Sequence, residues 1–384
     1  MIEEAKRLHS VKEYYFSKKL REVRQLIKEG KDVINLAIGS PDLSAPEHVV
    51  SALKQSVHEP NAHKYQSYQG LPELRLAISK FYQKHYQVEL NPETEVLPLM
   101  GSKEGIMHIS MAFLNAGDEV LIPNPGYPTY SAVTQLVQAK PLFYDLNAEN
   151  NWLPDLKSLA KKDLSKVKMM WVNYPNMPTG AEAKDSFFQE LLVFGKAHNI
   201  LIVNDNPYSF ILTNEPKSML TSSQNNSNIL ELNSLSKVFN MAGWRVGMLV
   251  GDAELIASVL KVKSNMDSGM FYGIQKGAIK ALHLEQTWFD NLNEIYTERR
   301  EKIWQLADEL KLTYDKNTSG LFVWAKHNSD QTSENITDEL LYKHDIFITP
   351  GTVFGSNGEG YVRFSLCANA SIIDQATQRV KKPL

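Results

Sequence analysis

Short apolar runs alternate with amphipathic stretches through the middle of this 384-residue chain. Residues 119–122, 169–172, 200–203 and 229–232 are mostly apolar, with Glu119 and Glu231 as the exceptions, and read as strands. Helical periodicity fills 131–138 between the first two and 185–198 between the next two. Alternation of this kind predicts an α/β fold, with a mostly parallel sheet and crossover helices. Three of the strands run straight into polar clusters, at Asn173, Asn204-Asp205 and Asn233-Ser234. Open α/β sheets bind ligands at the carboxyl ends of their strands, so these clusters are expected to converge.

The flanks read differently. Residues 11–29 form an amphipathic helix pattern closed by Gly30, and 33–39 are extended up to the break at Gly39-Ser40-Pro41-Asp42. Beyond about residue 284 a long charged helix, 288–310, precedes strand patterns at 321–324 and 361–366. The division predicted is a large α/β domain over 45–283 and a smaller α+β domain from 1–44 with 284–384. No internal repeat or low-complexity tract interrupts it.

Composition narrows the function classes. A formal net charge of −3 creates no basic field, so neither nucleic acid nor an anionic membrane is expected as a partner. No apolar stretch approaches the roughly 20 residues that span a bilayer, and the first residues carry mixed charge without the apolar core of a signal peptide. Cys367 is the single cysteine, which excludes an internal disulfide, reads as a small buried hydrophobe, and fits a reducing cytoplasm. No metal site is expected.

Lys237 carries the strongest chemical signal. It sits in Ser234-Leu235-Ser236-Lys237, eight residues before Arg245 in Gly243-Trp244-Arg245-Val246-Gly247. A lysine at the inner end of a buried strand is neutral, paired or engaged as a Schiff base, because an uncompensated buried ammonium is costly. The serines and the guanidinium suit a phosphate ester. Lysine beside a phosphate cradle points to an aldehyde cofactor that carries a phosphate, pyridoxal phosphate (PLP).

Other candidates are individually ambiguous. Gly101-Ser102-Lys103-Glu104-Gly105 opens a helix whose N–H groups favour a phosphate, although a plain glycine turn reads the same way. Asp205 ends a strand, where an acid caps a turn or partners a protonated pyridine nitrogen. Tyr208 would donate to the ring phenolate oxygen, and Tyr127 is either a packed loop aromatic or a ring stacked on the cofactor. Strand alternation puts Tyr361, Arg363 and Ser365 on one face, so Arg363 is either solvated or a clamp on a substrate carboxylate.

Taken together, these residues resemble the fold-type I PLP enzymes of the class I/II aminotransferase family, the aspartate aminotransferase-like superfamily. The resemblance runs from Asn35 to Asp42, through Lys64-Tyr65 and Gly70-Leu71-Pro72-Glu73-Leu74-Arg75, to Gly360 through Leu366. It implies an amino acid:2-oxo acid aminotransferase with a ping-pong cycle, in which Lys237 holds PLP and moves the proton between Cα and the cofactor. Ser102 and Lys103 amides with Ser234, Ser236 and Arg245 would bind the phosphate. Arg363 and Gly39 would receive the substrate carboxylate, with Tyr15 and Asn265 as further pocket candidates. Tyr65 would reach the phosphate of the neighbouring subunit, which implies a homodimer with shared sites. A PLP-dependent C–S lyase, or a PLP-binding regulator with vestigial catalysis, remains open on sequence alone.

One departure stands out. The family's Asn-Pro-Thr-Gly is here Met177-Pro178-Thr179-Gly180, within Asn173-Tyr174-Pro175-Asn176 onward. A thioether cannot donate a hydrogen bond to the cofactor's ring oxygen, so the Schiff-base nitrogen is expected to hold its proton more tightly, with Asn173 or Asn176 able to compensate. The stretch 267–271 is similar to alanine- and LL-diaminopimelate-type aminotransferases, and no arginine is evidently placed for a distal carboxylate.

Overall fold

The computed structural model describes residues 2–11, 13–213, 215–223 and 228–382. Its centre is a seven-stranded sheet in the order Val96–Leu99, Gly247–Gly251, Ile229–Ser234, Leu201–Asp205, Val167–Val172, Glu119–Asn124, Lys140–Asp145. All strands run parallel except Gly247–Gly251, which is antiparallel to both neighbours. Helices cover both faces, so the central strands are almost wholly buried and read as largely apolar runs. Alternate residues serve two separate cores. Met169, Trp171 and Val203 pack with Ile106, Ile109 and Val259 on one side, while Met170, Val172 and Ile202 pack with Leu74, Ile78 and Phe188 on the other.

The expected elements are present with shifted ends. Strand Leu201–Asp205 carries its pattern through to the acid, and the helix expected at 131–138 starts earlier, at Pro128, whose fixed φ suits a first helical turn. Three strands of the sheet, Val96–Leu99, Lys140–Asp145 and Gly247–Gly251, lie outside the four runs expected from sequence. Lys140–Asp145 buries only Tyr144 well, and Val96–Leu99 contains Pro98, as edge strands tolerate.

A second, four-stranded antiparallel sheet runs Thr349–Pro350, Tyr361–Ser365, Phe322–Lys326, Thr313–Tyr314. Residues Ile34–Asn35 pair in parallel with Ile346–Phe347, and Leu36 O accepts the Ser365 N–H at 2.7 Å. Arg299 clamps Asp42 through two N–H···O bonds of 2.6 and 2.9 Å. The extended N-terminal segment is thus fastened to the C-terminal sheet, which brings Gly39 beside Arg363's strand. Among the described residues no helix is long and apolar enough to cross a membrane.

Candidate active site

The antiparallel strand explains how the site is assembled. It enters the sheet at the end where its neighbours leave it, so Gly247 stands opposite both Leu99 and Ser234. The residue pairs that precede and follow those strand ends, Ser102-Lys103, Ser234-Ser236 and Arg245, therefore meet. A cavity of about 610 Å³ opens there, lined also by Asp205, Tyr208, Tyr127 and Lys237, and closed from the other side by Gly39, Phe322 and Arg363.

Glycine is required at two points of this cradle. A Cβ on Gly101, which has φ of +91°, would lie 2.2 Å from Arg245 Nη2, and one on Gly247 would lie 2.6 Å from the Ser102 nitrogen. Ser234 Oγ accepts the Ser236 N–H at 3.1 Å, and Arg245 Nη1 donates to Ala242 O at 2.9 Å. The twelve-residue helix Ser102–Phe113 begins at this point, with its first N–H groups free of helical partners.

Lys237 and Asp205 both face the cavity. Lys237 Nζ donates to Gly39 O at 2.5 Å, and burial pushes its pKa below the ordinary lysine value. Asp205 Oδ2 accepts the Tyr130 hydroxyl at 2.8 Å, whereas Oδ1 is buried without a partner. Burial raises the carboxyl to about 6, against the opposing influence of the Tyr130 hydroxyl and Lys237. Tyr130 is itself held by stacking on Trp171 at 4.9 Å.

Arg363 is buried rather than solvated, at 4% exposure. Its guanidinium lies 3.9 Å from the Phe322 ring and 4.6 Å from the Phe354 ring, Nη2 donates to Ala37 O at 2.7 Å, and Nε has no partner. Burial lowers its pKa to about 10, which still leaves a cation at neutral pH. Nη1 points at Met177 Sδ, 3.3 Å away. The backbone of Met177 is fixed by Asn173 Oδ1 at 2.8 Å, and Asn173 Nδ2 donates to Asp205 O at 2.5 Å. Both asparagine amide nitrogens are already engaged: Asn176 Nδ2 donates to Asn173 O at 3.3 Å, and Asn173 Nδ2 is committed to Asp205's carbonyl.

Three expected residues lie elsewhere. Tyr15 is one position out of phase: Phe16, Ser17 and Leu20 of the helix Tyr15–Lys28 line the cavity with Tyr14, while Tyr15 shares its face with Lys19 and Glu22. Asn265 sits past the end of the helix Ala253–Lys263 and is spent donating to Lys261 O at 2.7 Å. Tyr65 is 90% exposed in the single chain, in a separate groove with Ser268, Met270 and Phe271. The sequence reading missed Tyr14, Phe16, Tyr130, Phe322 and Phe354. Only Tyr130, three residues after Tyr127 on the same helix, carried a usable spacing signal.

Residues 31–380 match the family model for aminotransferase class I and II. The chain belongs to the class I and II aminotransferases. It is 42% identical over 364 residues to an LL-diaminopimelate aminotransferase of Dehalococcoides mccartyi, covering 94% of each chain. A like-named enzyme of Aquifex aeolicus is 38% identical, with 99% of each chain covered. Among solved structures, apo-BacF of Bacillus subtilis superposes with a TM-score of 0.94 at 35% identity, over 99% of this chain and 98% of that one. The fold is that of the fold-type I aminotransferases, and the enzyme is a PLP-dependent transaminase. The cavity fits this cofactor: a buried carboxylate oxygen lacks a cation, a glycine-lined cradle faces Arg245, and a buried lysine amine stands between them.

Proposed function

We propose that Lys237 binds PLP and that the enzyme moves an amino group from an amino acid to a 2-oxo acid in a cavity shared between two subunits. The Ser102 and Lys103 amides, with Ser234, Ser236 and Arg245, hold the phosphate. Asp205 Oδ1, buried and unpartnered, takes the pyridine nitrogen and favours its protonated form; Tyr208 donates to the ring oxygen, and Tyr127 packs on the ring. The bound cofactor supplies an electron sink for the donor's Cα. Arg363 and Gly39 orient the donor by its carboxylate, and the Lys237 amine, lowered in pKa by burial, carries the proton at Cα.

The observation that carries this reading is the pairing of Asp205's free oxygen with a phosphate-sized cradle across one cavity from Arg363. LL-Diaminopimelate, which stands in the relatives' names, belongs among the donors to be assayed. The homodimer is supported by Tyr65, which is too exposed to serve its own subunit, and the lone Cys367 supports a cytoplasmic setting. Two assays test the proposal. Amino donors should convert the bound cofactor to its pyridoxamine form, and light scattering should give a particle of twice the 43.5 kDa chain. Release of pyruvate and ammonia from a cysteine conjugate, with no such conversion, would instead indicate a C–S lyase.

A further inference from the structure

The charged groups that reach the cavity are few. Among the described lining residues the cations are Lys103, Lys237, Arg245 and Arg363, and the single carboxylate is Asp205. If Lys237, Arg245 and Arg363 serve the cofactor and the donor's α-carboxylate, only Lys103 is uncommitted. Its ammonium lies 4.8 Å from the Tyr14 ring centroid and close enough to Arg245 to feel its charge, on the phosphate side. Asp205 is used by the pyridine nitrogen, so no carboxylate is left for the donor's side chain.

The surroundings of Arg363 are apolar instead. Phe322, Phe354 and Phe16 ring its guanidinium at 3.9, 4.6 and 5.8 Å, and Leu20 and Ile38 line the same space. Gly39 leaves room that Phe322 fills, since a Cβ there would lie 2.3 Å from the ring. A donor held by its carboxylate on Arg363 has this wall as its nearest neighbour. The loop that carries Tyr65 adds nothing acidic. From His63 to Gly70 it reads His-Lys-Tyr-Gln-Ser-Tyr-Gln-Gly, with Tyr65 and Tyr68 exposed. Supplied across a dimer, it brings aromatic and basic groups but no carboxylate.

We infer that the amino donor has an apolar side chain of leucine-to-phenylalanine size, and that a donor with a second ammonium, such as LL-diaminopimelate, is disfavoured. This rests on the aminotransferase reading of Lys237 and Arg363. The distal end of LL-diaminopimelate is a zwitterion, an ammonium beside a carboxylate, and placing it against this apolar wall costs the hydration of both groups, whereas an apolar side chain gains from leaving water. The exchange balances as donor amino acid plus acceptor 2-oxo acid giving the donor's 2-oxo acid plus a new amino acid, with no external oxidant.

The test uses the PLP-loaded enzyme in single half-reactions, followed by loss of the bound-cofactor absorbance. L-Phenylalanine or L-leucine should react with a second-order rate constant about 100-fold or more above LL-diaminopimelate, about 2.7 kcal/mol of discrimination. In Phe16→Ala the phenylalanine-to-alanine rate ratio should fall at least about tenfold, a change that a general loss of folding does not produce. LL-diaminopimelate reacting as fast as phenylalanine, or an unaltered ratio in Phe16→Ala, would overturn the inference while leaving transamination intact. If no donor reacts, the reading of Lys237 and Arg363 fails, and this inference fails with it.

Discussion

Asp205 and Tyr130 share one hydrogen bond of 2.8 Å, which satisfies one carboxylate oxygen and leaves the other buried without a partner. The cofactor-free protein therefore carries a cost at this position. The native carboxyl titrates near 6 and the unfolded one near its ordinary 3.8. Between those values the native state holds a proton that the unfolded state has lost, so stability falls as pH rises through the window and stays lower above it. Asp205→Asn retains an acceptor for Tyr130 and removes the charge. Apo Asp205→Asn should gain about 1–3 kcal/mol over wild type between pH 4 and pH 7.5, read by urea unfolding. It should also bind PLP more weakly. A stability difference that does not change with pH would count against the orphaned-charge argument.

Lys237 is shifted in the opposite sense, since burial disfavours its ammonium. Only the neutral amine attacks an aldehyde, so the rate of PLP capture by apoenzyme should rise with pH and level off below the ordinary lysine pKa of about 10.4. A capture rate still climbing in proportion to hydroxide at pH 10 would show that the amine is not depressed.

Met177 and Arg363 meet through an N–H···S contact of 3.3 Å, and the thioether offers no donor to the cofactor's ring oxygen. Met177→Asn introduces one. A hydrogen bond to a charged acceptor contributes about 1.5–3 kcal/mol, so the pH midpoint of the bound-cofactor absorbance should drop by about one unit or more. An unchanged or raised midpoint in the titration would sink this assignment.

Glu231 lies at the centre of a strand and is fully buried on the sheet face opposite Asp205. It accepts hydrogen bonds from Tyr82 Oη at 3.0 Å, Ser218 Oγ at 2.8 Å, Asn204 Nδ2 at 3.0 Å and Met219 N at 2.9 Å. Asn206 Nδ2 adds a fifth, at 3.4 Å. Glu231→Ala strands all five donors and should cost about 3 kcal/mol or more in chemical denaturation; Glu231→Gln should cost about 1–2 kcal/mol. A loss under about 1 kcal/mol in the alanine variant would mean that water replaces the carboxylate.

Glu231 also shows where sequence reasoning reached its limit. In Ile229-Leu230-Glu231-Leu232 the apolar neighbours announced a strand, and the acid passed as an interruption, because its five donors come from residues 12 to 149 positions away. Lys237, Asp205, Tyr208 and Arg245 were legible because each follows or precedes a strand end at fixed spacing. The aromatic wall was not legible. Phe16, Phe322 and Phe354 come from an α-helix, a strand and the short 3-10 helix Gly351–Phe354, which the clamp between Asp42 and Arg299 and the pairing of 34–35 with 346–347 help bring together. Tyr15 rested on the family resemblance alone, and three aromatic residues in a row, Tyr14-Tyr15-Phe16, do not themselves reveal which of them faces the cavity.

Transamination at Lys237 is tested most directly by one stoichiometric half-reaction. PLP-loaded wild type, mixed with its best amino donor and no acceptor, should yield about one equivalent of the matching 2-oxo acid per chain, with an equal loss of bound-cofactor absorbance. Lys237→Ala should yield none on the same timescale. Ammonia release with the absorbance intact, or an equal yield from Lys237→Ala, would contradict the assignment.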